Sequence, residues 1–185
     1  MSKNLINKLT WNYDDYCALP DDLNRHEIIE GEHYVTPSPS SRHQRISINM
    51  AAILKTHIDA QNLGILLAAP IDVLLSPTSV VQPDLVFIKR EHEYMITDPN
   101  IQGAPDLVVE ILSHSTAARD RGNKMLLYAK FGVPHYWIVN PDPLSLSTYQ
   151  LAAGEYVLMA QFGRGNQAQS PLFPGLIIPV ENLER

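Results

Sequence analysis

The chain has 185 residues, of which 45% are hydrophobic and 18% charged, with a formal charge of −6 at neutral pH. That length suits a single domain spanning 1–185, able to bury about 70% of its unfolded surface, and the composition excludes a disordered chain. The acidity excludes a protein that coats nucleic acid by bulk charge, though not one with a local basic patch. The single Cys17 excludes an internal disulfide framework. No run approaches the roughly 18 apolar residues of a membrane span, and Met1–Thr10 lacks a signal peptide's apolar core. The expectation is a cytoplasmic protein without membrane attachment.

Residues 1–9 read as a flexible leader. Thr10 is a candidate cap for a short helix over 11–18, which Pro20 stops. Residues 26–29 and 32–35 flank Glu30-Gly31 and read as a β-hairpin. After a Pro/Ser loop, Ile46, Met50, Ile53, Leu54 and Ile58 recur at helical spacing and predict a helix over 41–61, with Gly64 as its stop. Strands follow at 65–69 and 71–75, parted by Pro70, and at 80–88. The polar stretch 89–103 reads as a short helix or irregular excursion. Residues 107–112 are apolar apart from Glu110, as in a strand covered on both faces. Ser115 or Thr116 opens a helix to about Phe131, and 134–139 is another buried strand. A hairpin over 145–151 and 156–162 and a short strand at 176–180 complete the pattern. The order predicts an α/β fold, a sheet with helices on its faces and an appended hairpin.

Two acids stand out against this background. Asp84 leads into Leu85-Val86-Phe87-Ile88, and Glu110 interrupts Leu107-Val108-Val109-Glu110-Ile111-Leu112. An ionised carboxylate in so apolar a run costs several kcal/mol unless a positive charge meets it. Two of them on neighbouring strands ask for one shared cation, and a hard divalent ion suits oxygen ligands: Mg²⁺ first, Mn²⁺ as a substitute. The Ile111 carbonyl is the third candidate ligand, because it borders Glu110 on the strand. Such a set fits phosphodiester hydrolysis, which needs a polarised phosphoryl oxygen, an activated water and cover for developing negative charge.

A cation near the attacking water is also wanted. Lys124 lies on the helix after the Glu110 strand, sharing a face with Asp120 and Tyr128; the plainer alternative is a surface Asp120–Lys124 pair worth a few tenths of a kcal/mol. Arg119, Arg121, Lys124 and Lys130 offer a strip for phosphate, although solvated helix charges are the commoner outcome. Asp106, after Pro105, reads as a fixture of the strand's start, and Ser113 and Ser115 as caps. Trp11, Tyr13 and Tyr16 either pack on the core or supply an interface. The sequence has no Walker loop, no HExxH, no G-x-S-x-G and no zinc-type histidine spacing.

Pro83-Asp84 with Glu110-Ile111-Leu112 resembles the PD-(D/E)xK signature of the restriction-endonuclease-like superfamily. More narrowly, five blocks resemble its "putative restriction endonuclease" family, long catalogued as a domain of unknown function: His26-Glu27-Ile28-Ile29-Glu30-Gly31-Glu32; Pro39-Ser40-Ser41-Arg42-His43-Gln44; Val81-Gln82-Pro83-Asp84-Leu85; Ala104-Pro105-Asp106 through Ser113; and Asp120-Arg121-Gly122-Asn123-Lys124 on to Gly132-Val133-Pro134-His135-Tyr136-Trp137. The similarity runs over about residues 8–183. It implies an α-β-β-β-α-β mixed sheet flanked by helices, with extra N-terminal and C-terminal β-hairpins. It also implies that Asp84, Glu110 and the Ile111 carbonyl hold the metal. Leu112 stands where the superfamily signature expects Lys, and the narrower family moves that cation to the next helix, here Lys124. Glu27 takes a supporting acidic role. His43, on the inward stripe of the long helix, becomes a neighbour of the metal site or a phosphate contact.

The reading is a Mg²⁺-dependent endonuclease acting on DNA, with a homodimer suited to cutting both strands. The alternative is a catalytically weak or inactive module of the same fold that binds nucleic acid or another partner, which Leu112 and the acidic charge favour. A hydrolase of small phosphoesters is the third, weaker reading.

Overall fold

The structure, a computed structural model, describes residues 10–20, 22 and 24–185; the predicted leader over 1–9 lies outside the described residues. Helix α1 (Tyr13–Cys17) is capped by Asn12, not by Thr10. Asn12 Oδ1 accepts from the Asp15 N–H at 3.0 Å, and Asp15 Oδ2 accepts from the Asn12 N–H at 2.9 Å. That reciprocal box satisfies two of the helix's orphan donors and fixes its start two residues beyond Thr10. Trp11 is buried against Ile28 and Val80, while the Tyr16 hydroxyl donates to Asp72 at 2.7 Å and the Tyr13 hydroxyl accepts from Asn100 at 2.8 Å. These aromatics pack on the domain itself.

The predicted hairpin is present as β1 (Arg25–Ile29) and β2 (Glu32–Thr36), its turn held by positive φ at Glu30 and Gly31. Ser40 then caps α2 (Ser41–Gln61), its hydroxyl accepting from the His43 N–H. His43, Ile46, Met50, Leu54 and Ile58 form the helix's buried stripe. The chain continues through β3 (Gly64–Ala68), β4 (Asp72–Ser76), β5 (Ser79–Val81) and β6 (Leu85–Lys89). A 3₁₀ helix (Arg90–Met95), β7 (Asn100–Gln102) and β8 (Leu107–Ile111) follow, then α3 (Ala117–Arg121), α4 (Asn123–Lys130) and β9 (His135–Pro141). The remainder is β10 (Leu144–Ala152), β11 (Glu155–Gly163), the short pair β12 (Gln167–Ala168) and β13 (Ile178–Pro179), and a 3₁₀ helix (Val180–Glu184).

Two predicted elements are each divided. The strand expected over 80–88 is two strands in different sheets, β5 and β6, with Gln82-Pro83-Asp84 as the crossover. Pro83 has no N–H to give a ladder, so the chain leaves one sheet there and joins the next. The helix expected from 115 or 116 to about Phe131 is broken at Gly122, whose φ of −115° and ψ of −98° are not helical. A Cβ at Gly122 would lie 2.9 Å from the Ala118 carbonyl oxygen, which the absent side chain makes tolerable.

The main sheet has the order β11-β10-β9-β8-β6-β3, and a second sheet, β2-β1-β5-β4-β7, carries the N-terminal hairpin. In the main sheet β8 is parallel to β9 and antiparallel to β6. Alternation by two buries both faces. Leu85, Phe87, Leu107, Val109 and Trp137 face the α2 stripe, while Val86, Ile88, Val108, Tyr136 and Ile138 face Leu127 and Tyr128 of α4. The predicted α-β-β-β-α-β core is therefore α2, β3, β6, β8, α3–α4 and β9. Because β6 and β8 are antiparallel, the residue that starts one and the residues that end the other meet at the same end of the sheet. Among the described residues, no helix is long and apolar enough to cross a membrane.

Candidate active site

Asp84, just before β6, and Glu110, near the end of β8, are both buried (3% and 2% exposed) and both line one open cavity of about 510 Å³. Glu27, His43, Ile111 and Lys124 line it too, so the fold brings all six sequence-predicted site residues together. Each arrives for a local reason. Glu27 shares a face of β1 with Arg25 by strand alternation. His43 is one turn into α2, and Lys124 is in the first turn of α4, directly after the Gly122 break.

The acids divide into two groups. Asp84 is fully engaged: Arg25 donates to Oδ1 at 3.0 Å, the Ile111 N–H donates to Oδ2 at 2.8 Å, and His43 Nε2 lies 3.2 Å from Oδ2. Burial alone would raise this carboxyl's pKa; His43, Arg25 and the Ile111 amide outweigh it and hold the group below the usual range. Glu110 is less well matched. Its Oε1 accepts from Lys124 Nζ at 2.7 Å and from the Tyr128 hydroxyl at 2.8 Å, but burial and the carboxylates of Asp120, Asp84 and Glu27 push its pKa up to about 8.

Lys124 is the hinge of this second group. Only 2% exposed, it lies 2.7 Å from Glu27 Oε1 and 2.7 Å from Glu110 Oε1, with Asp120 Oδ1 at 3.9 Å. Burial would lower an ammonium's pKa, yet the three carboxylates outweigh it and raise this one, so Lys124 stays charged. The surface Asp120–Lys124 pair is thus replaced by a buried network. Glu27 is itself fixed, because Oε1 also accepts from the Gln82 N–H at 3.0 Å. Four buried carboxylates (Glu27, Asp84, Glu110, Asp120) face three cationic side chains, Arg25, Arg119 and Lys124, and the raised pKa of Glu110 reflects that shortfall together with its burial.

Leu112, at the position of the expected Lys, is buried in the apolar cluster under α4. Arg25 and Asp120 belong to the site and were missed as site residues. Arg25 was findable: it stands two residues before Glu27 and therefore on the same strand face. Asp120 looked like a helix-surface partner until the break at Gly122 turned the α3–α4 segment inward. Asp106, by contrast, lies at the other end of β8 and accepts from the Lys89 N–H at 2.8 Å, as a strand fixture does.

Residues 13–181 match the family Uma2, described as "Putative restriction endonuclease". The chain belongs to this family. The Uma2 fold is also recognisable at greater distance. A crystal structure of "a putative nuclease belonging to DUF820" from Anabaena variabilis ATCC 29413 superposes with a TM-score of 0.76 at 20% identity, covering 93% of this chain and 96% of that one. A similar sequence is the uncharacterized protein slr1290 of Synechocystis sp. (strain ATCC 27184 / PCC 6803 / Kazusa), 30% identical over 109 residues. That match spans 57% of this chain and about half, 54%, of the relative's length.

Among the described residues, no three His, Cys, Asp or Glu side chains form a metal cage by themselves. The Ile111 carbonyl borders the two acids on the cavity wall. His43 Nε2 faces two acceptors, Asp84 Oδ2 at 3.2 Å and the Ile111 carbonyl at 2.9 Å, while Nδ1 is buried without a partner. A ring nitrogen set between a carboxylate and a carbonyl requires a positive centre between them, either its own proton or a cation.

Proposed function

We propose that this Uma2 chain is a divalent-metal-dependent endonuclease that hydrolyses phosphodiester bonds of DNA, with Mg²⁺ as working ion and Mn²⁺ as substitute. The observation that carries the reading is the buried chain Glu27–Lys124–Glu110, with 2.7 Å contacts on either side of the ammonium, beside Asp84 in one open cavity. A merely structural ion pair needs one acid and no cavity.

The donor set suits a hard ion. Asp84, Glu110 and the Ile111 carbonyl would hold it, with His43 Nε2 as neighbour or further ligand. The 2.9 and 3.2 Å separations around Nε2 resemble those of adjacent donors on one octahedral ion, about 3.0 Å apart for bonds of about 2.1 Å. Glu110's raised pKa points the same way, since a carboxylate that would otherwise hold a proton near neutrality is relieved by a cation. When bound, the ion would polarise a phosphoryl oxygen and lower the pKa of a coordinated water.

The chain's own groups do the rest. Lys124, charged and held from both sides, orients a water beside Glu110 and offsets negative charge as it develops on phosphorus-bound oxygen. Glu27 keeps the ammonium aimed, and the Tyr128 hydroxyl fixes the Glu110 rotamer. Arg25 holds Asp84 ionised. Cutting both strands of a duplex calls for two such sites, which a two-fold pair of chains supplies. The exposed free Cys17 suits a reducing cytoplasm.

Calorimetric titration with Mn²⁺ and nicking of supercoiled plasmid in Mg²⁺ test this together. The expected result is saturable heat and nicking in the parent, both lost in Asp84→Ala. A parent that neither binds the ion nor nicks DNA returns the chain to the second reading, a non-catalytic binding module. The buried Leu112 favours that reading.

A further inference from the structure

Three arginines line the cavity, and two of them are occupied by acceptors. Arg25 donates to Asp84 and to the Gln82 carbonyl; Arg42 donates to Glu184 and to the Pro141 carbonyl. Arg119 differs. It comes from α3, the first helical turn after the Glu110 strand, and its side chain is 12% exposed rather than solvated. One terminal nitrogen donates to Thr36 Oγ1 at 2.6 Å and lies 3.9 Å from Glu27 Oε2. The guanidinium carbon lies 5.1 Å from the centre of the Tyr34 ring. Its Nε is buried and has no hydrogen-bond partner.

These contacts hold the plane of the guanidinium without using up its donors. Thr36 fixes one corner, and the Tyr34 ring supports a face. An arginine has five N–H donors in a rigid fork that matches the oxygens of a phosphate. Glu27 Oε2 stands 3.9 Å from one terminal nitrogen, an ion pair too long for a hydrogen bond, while its Oε1 contacts Lys124 at 2.7 Å, so the carboxylate leaves the fork's donors unbonded. A buried, unpartnered Nε–H on a residue of the cavity wall, on a side chain held flat, is a donor that a two-oxygen anion would satisfy.

We propose that Arg119 grips a backbone phosphate of the nucleic-acid strand in the cavity, presenting Nε–H and a terminal N–H to two non-bridging oxygens. This rests on the nuclease reading of the cavity, and it makes Arg119 a substrate-binding residue that acts without the metal.

The test is binding of a fluorescent single-stranded oligonucleotide in EDTA, followed across a salt series. Releasing one phosphate contact lowers the slope of log K against log salt by about 0.7 for a single strand. Arg119→Met should lose roughly tenfold in affinity and about that much slope, while Arg119→Lys keeps the slope and loses affinity, because an ammonium retains the charge but not the fork. A slope in Arg119→Met equal to the parent's overturns the proposal, and so does a parent that binds no oligonucleotide. Inorganic phosphate that binds the parent in an Arg119-dependent way, without oligonucleotide binding, assigns the site to small phosphates and overturns it as well. Should Arg119→Met fail to fold, Arg119→Lys decides, with unchanged affinity as the overturning result. Plasmid nicking by the parent separates the two ideas. An Arg119-dependent slope without nicking sinks the hydrolase and keeps the phosphate site; nicking with an unmoved slope does the reverse.

Discussion

The chain contains two Pro-Asp steps into buried strands, and the fold treats them as near mirror images. Asp84 precedes β6 and accepts the N–H of Ile111, the last residue of β8; Asp106 precedes β8 and accepts the N–H of Lys89, the last residue of β6. Each is 3% exposed, and each has a histidine and a base within reach: His43 and Arg25 for Asp84, His92 and Lys89 for Asp106. The local motif is the same, and the two ends of the β6–β8 pair are fastened in the same way. What differs is the surroundings. His92 and Lys89 are about 40% exposed, so the Asp106 charge is screened by water and needs nothing more. Asp84 faces a buried His43 and stands in a cavity with Glu110, Glu27 and Asp120, where one ammonium serves three acids. A carboxylate becomes a candidate for chemistry through an uncompensated neighbour, not through its own motif.

The strongest way to break the comparison is to make the same substitution at both ends. Asp84→Asn should abolish plasmid nicking, with a loss beyond the roughly 100-fold typical of an outer-shell change at a metal site. Asp106→Asn should leave nicking unaltered while lowering stability by about 1–3 kcal/mol, the usual loss for a buried group whose hydrogen bonds are weakened. Denaturant unfolding beside the nicking assay reads both. Equal loss of activity at the two positions would mean that both ends work only by holding β6 against β8.

Next in size is the Lys124 network. Lys124→Met removes the charge that Glu27 and Glu110 share and leaves them buried together. Breaking a buried pair in this way costs about 3–5 kcal/mol, which in a domain of this size lowers Tm by roughly 6–20 °C. Adding Glu110→Gln to that variant should restore part of the loss, because a neutral amide tolerates burial better than an unpaired carboxylate. Calorimetric melting of the three proteins checks the order parent, double variant, single variant. A single variant as stable as the parent would show that the acids simply take up protons, and would weaken the case for an obligatory ammonium.

Much of this was legible in the sequence, for physical reasons that also mark where it stopped. The α2 stripe was readable because helical spacing repeats from Ile46 to Ile58, over more than three turns, and the Glu110 strand because only a strand covered on both faces is so apolar. The convergence of Asp84 with Glu110 followed from placing their strands side by side. The breaks were not legible. Gly122 costs a helix little on its own, so nothing local forces the turn that sends Lys124 and Asp120 inward; packing of α4 on β8 decides it. Pro83, which lacks a ladder N–H, falls within the single strand expected over 80–88, and nothing local says that the chain passes between sheets there. Arg119 was readable only as one member of a phosphate strip, and Arg25 only by its spacing from Glu27, because a guanidinium declares its role through what faces it.

A third carboxylate, far from both Pro-Asp steps, gives the smallest effect and the cleanest control. Glu184, in the last 3₁₀ helix, accepts from Arg42 Nε at 2.6 Å and pairs with Arg164 as well. Partial burial alone would raise its pKa, but the two arginines outweigh that and hold it below the ordinary 4.5. With the folded value depressed, the unfolded chain binds more protons over the window just below 4.5, so stability there rises with pH. The contribution is complete above the unfolded value and disappears as pH falls through the folded one. Glu184→Gln should therefore lower Tm near neutral pH and converge with the parent once both are acidified well below 4.5. Lys124→Met should depart on the alkaline side instead: burial holds the Glu110 pKa at about 8 even with the ammonium beside it, and removing the ammonium raises it further, so the variant's deficit grows as pH rises through about 8. A Lys124→Met deficit that stays constant as pH is raised from about 7 to about 9 would mean that Glu110 and the ammonium share no charge, and the contrast between the two ends of the sheet would lose its basis.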